Sequence, residues 1–281
     1  MMRHDRMRIH LCNEVVRELD FAGQCRFARE AGYDGLEIAP FTLSPEPHRL
    51  DRARVKELRS IADGEGMAVA GLHWLLSAPQ GLSITDEDEG VAARTLDVGR
   101  RLIELCAGLG GSYLIHGSPQ QRLLAAGREK EGRQRALAYF AAAAEAAATA
   151  GAVYVLEPLG PTDRGGLIRT VDDAAAIMDE IGSPALRTML DCYATGTTAD
   201  ILAALVRWVP QGVIHHVHFN DANQRGPGEG TLDFPAILDT LRRLNYAGAS
   251  AVEPFVYLPD GPSCAARSIG YLRGVIAARA R

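Results

Sequence analysis

Four ionisable side chains in the second half of the chain stand at the tails of short apolar runs: Leu156-Glu157-Pro158, Leu190-Asp191, His216-Val217-His218 and Val252-Glu253-Pro254. Any one of them alone reads as a solvated loop residue, a helix cap or a satisfied core histidine. Together they read differently, because burying three carboxylates side by side without a cation is very costly. A divalent metal removes that cost, so Glu157, Asp191, His218 and Glu253 are the expected ligands of one ion. Three carboxylates and one imidazole form an oxygen-rich, hard donor set, which ranks Mn²⁺ first, with Mg²⁺, Co²⁺ and Zn²⁺ behind it.

Such an ion, chelating a carbonyl and its neighbouring hydroxyl, polarises the carbonyl and stabilises an enediolate. Glu157 and Glu253 are the candidate acid and base that remove and return the proton. One glutamate on each face gives epimerisation, whereas one group moving the proton between carbons gives aldose–ketose isomerisation. Expulsion of a β-hydroxyl or of carbon dioxide around the same intermediate gives a dehydratase or decarboxylase. The expected substrate is a small sugar or sugar-like carbonyl compound.

Four donors can meet only if the elements carrying them end at one place. Strand-length apolar runs begin at Arg8, Asp34, Met67, Ser112, Ala152, Arg187, Val213 and Gly248. Helical spacing fills Leu19–Ala31, Arg52–Glu65, Val91–Leu109, Glu129–Ala150, Val171–Ile181, Ala199–Val209, Phe234–Leu244 and Ala265–Ala278. Thr170 with Asp172 and Asp173 marks a helix start, and Gly32, Gly66, Gly151 and Gly182 mark helix ends. Eight strand–helix units predict a (β/α)8 barrel of α/β class, a single domain over residues 1–281. In that fold chemistry sits at the carboxyl ends of the strands, and consecutive strands are neighbours.

Side-chain alternation adds detail. His216 and His218 share one strand face and His215 takes the other, so His216 lies one layer below His218. Proline after Glu157 and after Glu253 biases both glutamates toward extended geometry. Glu37, His73 with Trp74, and His116 close the second, third and fourth strands, on the other half of the rim. His73 and Arg225 are expected to hydrogen-bond substrate oxygens and Trp74 to wall the pocket, while Glu37 and His116 read as supporting residues. Arg122, after a Gly-Ser-Pro turn, is a candidate for an anionic group or a surface ion pair. Gly226-Pro227-Gly228-Glu229-Gly230 lacks the ending of a nucleotide loop and reads as the turn after strand seven, with room to act as a lid.

Bulk properties narrow the partners. The 281 residues are 47% hydrophobic and 23% charged, with net charge -5, which gives no basis for binding a polyanion such as nucleic acid. Five scattered cysteines without CxxC spacing argue against a disulfide framework and fit a cytoplasmic setting. The polar start MMRHDRMRIH has no apolar signal core, and no run approaches a membrane span.

These residues resemble the sugar-phosphate isomerase/epimerase group of the xylose isomerase-like TIM barrel superfamily. The carriers are Leu72-His73-Trp74-Leu75-Leu76, Gly117-Ser118-Pro119-Gln120-Gln121-Arg122, Leu156-Glu157-Pro158-Leu159, Met189-Leu190-Asp191, His216-Val217-His218, Pro227-Gly228-Glu229-Gly230 and Val252-Glu253-Pro254-Phe255. The resemblance implies metal ligands at Glu157, Asp191, His218 and Glu253, acid–base roles for Glu157 and Glu253, and a dimer or tetramer. It departs at three places. Ala194 stands where many relatives have histidine, Asp163 where the epimerases have a substrate-contacting glutamate, and Gln224, followed by Arg225, where they have arginine. Distant relatives are zinc apurinic endonucleases, whose ligands His73 and His116 would match. Ala194, Ala222 and Gln224 leave that three-zinc set incomplete.

Overall fold

The computed structural model describes residues 7–161 and 166–279. Asp163 therefore lies outside the described residues. Eight parallel strands close into a barrel in sequence order: β1 (Ile9–Cys12), β2 (Gly35–Ile38), β3 (Val69–Leu72), β4 (Tyr113–His116), β5 (Val153–Leu156), β6 (Leu186–Asp191), β7 (Ile214–Phe219) and β8 (Ala249–Val252). β8 pairs with β1, with Val252 opposite Leu11, so no edge remains among the strands.

The outer layer is α1 (Phe21–Ala31), α2 (Arg52–Gly64), α3 (Glu89–Leu109), α4 (Glu129–Thr149), α5 (Val171–Ile181), the single turn α6 (Cys192–Thr195), α7 (Thr198–Trp208), α8 (Phe234–Arg243) and α9 (Gly261–Arg279). Short polar residues start them. The Asp20, Asp51 and Asp88 carboxylates accept backbone N–H bonds at the first turns of α1, α2 and α3, and Thr170 with Asp173 closes a capping box on α5. α9 begins four residues before the apolar periodicity does, because the Asp260 carboxylate accepts from Ser263 N at 2.7 Å and holds the extra turn. Gly32 and Gly182 end α1 and α5 with left-handed backbone, where a Cβ would be strained.

Alternation along the strands sorts side chains into two cores. Tyr113, Ile115, Val155, Met189 and Ala249 fill the lumen. Leu114, Tyr154, Leu156 and Leu190 pack in the core between strands and helices. The five cysteines are all buried and unpaired. Among the described residues no helix is long and apolar enough to cross a membrane.

Candidate metal centre

Each of the four expected ligands is held by its own strand end. Glu157 N bonds back to His116 O at 3.2 Å, and Glu253 N to Phe219 O at 3.2 Å, so both residues extend their strands by one ladder bond. Asp191 ends β6 and caps α6, its Oδ1 accepting from Ala194 N at 2.7 Å. His218 faces the lumen from β7 and is fully buried; the three acids are 3–9% exposed. One donor atom from each of the four lies within 4.8 Å of the others. From His218 Nδ1 the separations are 2.8 Å to Glu253 Oε2, 3.6 Å to Glu157 Oε1 and 4.0 Å to Asp191 Oδ2.

The donor set fits a cation. His218 Nδ1 and Glu253 Oε2, both buried, lie 2.8 Å apart as an ion pair, and the Glu157 and Asp191 carboxylates crowd the same nitrogen. Three buried carboxylates gathered on one imidazole are costly unless more positive charge lies among them. Electrostatics say the same. Burial, and then the charges of Glu157 and Glu253, push the Asp191 carboxyl up to about 7. Burial also opposes ionisation of Glu253, but His218 and His73 outweigh it and bring that carboxyl down to about 2. His218, despite burial, is raised well above the ordinary imidazole value by Glu253 and Glu37. The cluster draws in whatever positive charge is available.

Gly117 makes room for this arrangement: a Cβ there would sit 1.5 Å from Glu157 Oε2. Asn220 braces the acids from the side, donating to Asp191 Oδ2 at 2.7 Å and to the Glu253 carbonyl at 3.1 Å.

The other sequence candidates separate. His73 is buried against the acids, its Nδ1 3.1 Å from Glu253 Oε1 and its Nε2 3.0 Å from Glu14 Oε2. Trp74 follows it, half-buried, with left-handed backbone (φ 51°). Arg225 pairs with Glu229 at 3.1 Å inside the loop after β7, and among the described residues it contacts none of the four. Arg122 is not on the surface. It is buried, and its Nη1 donates to the carbonyls of Glu157 (2.7 Å) and His116 (3.4 Å), tying the ends of β4 and β5 together. The glycine-rich turn is tied down through its backbone N–H groups. The buried Asp221 carboxylate accepts from Ala222, Gly228, Gly230 and Leu232 N–H at 2.8–3.1 Å, so those donors are already engaged.

His116 leaves the rim altogether. It points outward, its Nδ1 2.7 Å from the Tyr154 hydroxyl and its ring against Tyr139 and Phe140. The second zinc position of an endonuclease-like cluster is therefore not formed here. Cys12, Glu14 and Asn220 were missed by sequence reasoning. Glu14 lies two residues beyond Cys12, and Asn220 two beyond His218, so strand parity carried past the strand ends is the signal that would have found them.

A closed parallel barrel with a buried cluster of carboxylates and imidazole at its carboxyl rim defines a class of TIM-barrel protein with a candidate metal site. Residues 25–275 match the model of the family described as xylose isomerase-like TIM barrel, and the chain belongs to that family. A 2-oxo-tetronate isomerase of Cupriavidus necator is 30% identical over 233 residues, 79% of this chain and 83% of the relative. A D-psicose 3-epimerase of Enterocloster bolteae is 34% identical over 92 residues, a match that spans 33% of this chain and only 30% of the relative's length. Among solved structures, a 3-keto-D-glucoside 4-epimerase from Escherichia coli superposes with a TM-score of 0.80 at 23% identity, covering 96% of this chain and all of that one. The relatives are sugar epimerases and isomerases.

Proposed function

We propose that this protein is a divalent-metal-dependent epimerase or isomerase of a small sugar or sugar-like carbonyl compound. The observation that carries this reading is the convergence of Glu157, Asp191, His218 and Glu253 within 4.8 Å, three carboxylates and an imidazole buried together. These four would hold the cation, with Mn²⁺ first by donor type. When bound, the cation supplies Lewis acidity toward the substrate's carbonyl oxygen.

The two glutamates differ in a way that suits acid–base work. Among the described residues no side chain hydrogen-bonds the Glu157 carboxylate, and its side chain is 11% exposed, so it is placed to take a proton from the carbon beside the carbonyl. Glu253 is more enclosed, and its Oε1 faces His73 Nδ1, which holds that carboxylate in position. Return of a proton from Glu253 to the other face inverts the centre; return by Glu157 to the adjacent carbon isomerises it. On this reading His73 and Trp74 line the substrate's side of the cluster, with Asp163 and Arg225 as further substrate contacts. The names of the relatives, an isomerase and epimerases, support this pair of outcomes.

The test is incorporation of solvent deuterium into a panel of ketoses, keto-glycosides and 2-oxo acids. Metal-loaded protein is expected to wash one deuterium into a carbon next to the carbonyl and to release the epimer or isomer; chelated protein is expected to do neither. If metal-loaded protein exchanges no proton in any member of the panel, the reading fails.

A further inference from the structure

Barrel lumens of this kind are normally packed with branched apolar side chains. Here a polar column descends from the cluster. Glu37, on β2, is fully buried and reaches across to β7, its Oε1 2.8 Å from His218 Nε2 and its Oε2 3.1 Å from His216 Nε2. The Tyr113 hydroxyl, from β4, donates to Glu37 Oε2 at 2.7 Å, and the Cys12 thiol, from β1, approaches Oε1 at 3.6 Å. Tyr113 in turn meets His10 Nδ1 at 2.9 Å. Space for the Tyr113 ring comes from Gly71 on β3, where a Cβ would lie 2.4 Å from that ring.

A buried charged network of this size gives a fold little that apolar packing would not. Its local effect is specific. In neutral His218, an Nε2–H donated to Glu37 would leave the lone pair of the ring on Nδ1, the atom that faces Glu157, Asp191 and Glu253. We propose that Glu37 is the positioning residue of the metal centre: it holds His218 in the one tautomer and ring orientation that presents Nδ1 to a cation, and Tyr113 holds Glu37. This inference rests on the metal-dependent reading above. Carboxylates that take the far N–H of a ligating histidine are worth about 10–100-fold in metal affinity, which sets the scale of the effect.

The experiment titrates Mn²⁺, without substrate, into wild-type, Glu37→Gln and Tyr113→Phe protein, and compares their thermal midpoints in chelator. Glu37→Gln is expected to bind Mn²⁺ about 10–100-fold more weakly and Tyr113→Phe by a smaller factor, with chelated midpoints close to wild type. In ¹⁵N-histidine-labelled, Zn²⁺-loaded wild type, the His218 proton is expected on Nε2. A folded Glu37→Gln protein with wild-type Mn²⁺ affinity, or a His218 proton on Nδ1, overturns the role of Glu37 while leaving the metal site standing. If Glu37→Gln does not fold, the Tyr113→Phe affinity and the tautomer decide, with no change in the first overturning the proposal. Wild type that takes up no divalent ion overturns this inference and the functional reading together.

Discussion

The two halves of the carboxyl rim are built from the same residue types, yet their polar atoms are engaged differently. On the β5–β8 side, Glu157, Asp191, His218 and Glu253 bring one donor atom each within 4.8 Å of the others, with His218 Nδ1 facing all three carboxylates. On the β1–β4 side, Glu14, Glu37 and His73 are just as buried, but their atoms lie against one another or against the first set: His73 on Glu253, Glu37 on His218. Burial and residue type do not distinguish a group that would hold a cation from a group that holds its holder. The nitrogen of His218 that each carboxylate faces does: Nδ1 meets Glu157, Asp191 and Glu253 together, whereas Nε2 meets Glu37.

The widest gap between the halves is expected in turnover. Glu157→Gln and Glu253→Gln keep shape and remove the carboxylate, and each is expected to lower kcat by about 10²–10⁴-fold. Glu14→Gln, whose recorded partner in the site is His73, is expected to cost much less. Steady-state kinetics on whichever sugar exchanges deuterium, with circular dichroism to show the variants folded, makes the measurement. Equal losses at Glu14 and Glu157 would erase the distinction between the halves.

A smaller effect probes how tightly the ligand half is packed. Gly117→Ala would put a methyl group 1.5 Å from Glu157 Oε2, so the carboxylate has to move. A displacement of about 1 Å in a catalytic group costs on the order of 10²-fold in rate. The expected result is reduced kcat and weaker Mn²⁺ binding in a folded protein. Gly270→Ala, which meets nothing within 4 Å on α9, is the matched control and is expected to leave both unchanged. Full activity in Gly117→Ala would mean that Glu157 has freedom the structure does not give it.

Much of this arrangement was legible before any coordinates. The apolar runs placed the strands, and the convergence of Glu157, Asp191, His218 and Glu253 followed, because they share one lumen-facing parity and one rim. The supporting half was harder to read. Cys12 ends a four-residue first strand and Glu14 falls in the 3-10 turn after it, so the parity that links them has to be carried past the strand end. Arg122 is buried rather than on the surface, and the backbone carbonyls that it bonds leave no trace in residue types. The turn at 226–230 looked free because glycine signals backbone freedom, whereas one buried aspartate, Asp221, accepts its N–H groups.

His116 sharpens the comparison with the smallest effect, since it ends a strand just as the ligands do but faces the helices. In β4, Tyr113 and Ile115 fill the lumen, so position 116 falls on the opposite face, and His116 packs on Tyr139, Phe140 and Tyr154. His116→Phe should therefore leave Mn²⁺ affinity and kcat near wild type, with a modest stability change from losing the 2.7 Å bond to Tyr154, whose hydroxyl keeps Tyr139 at 3.3 Å. Its signature is in acid. Burial, with Arg122 adding to it, drops the His116 pKa from 6.5 to about 3. Between those values the unfolded chain binds a proton that the folded protein refuses, so stability falls as pH falls through that window. From pH 7.5 to pH 5 this one residue accounts for about 2 kcal/mol of lost stability. The Phe variant should lose correspondingly less over that interval, measured as the shift in urea midpoint at the two pH values. His10 and His215, each lowered to about 4 by burial, remain in both proteins and cancel in the difference. An identical acid slope in the variant would mean that His116 is protonated when folded, and the outward half of β4 would then need a counter-charge that the structure does not supply.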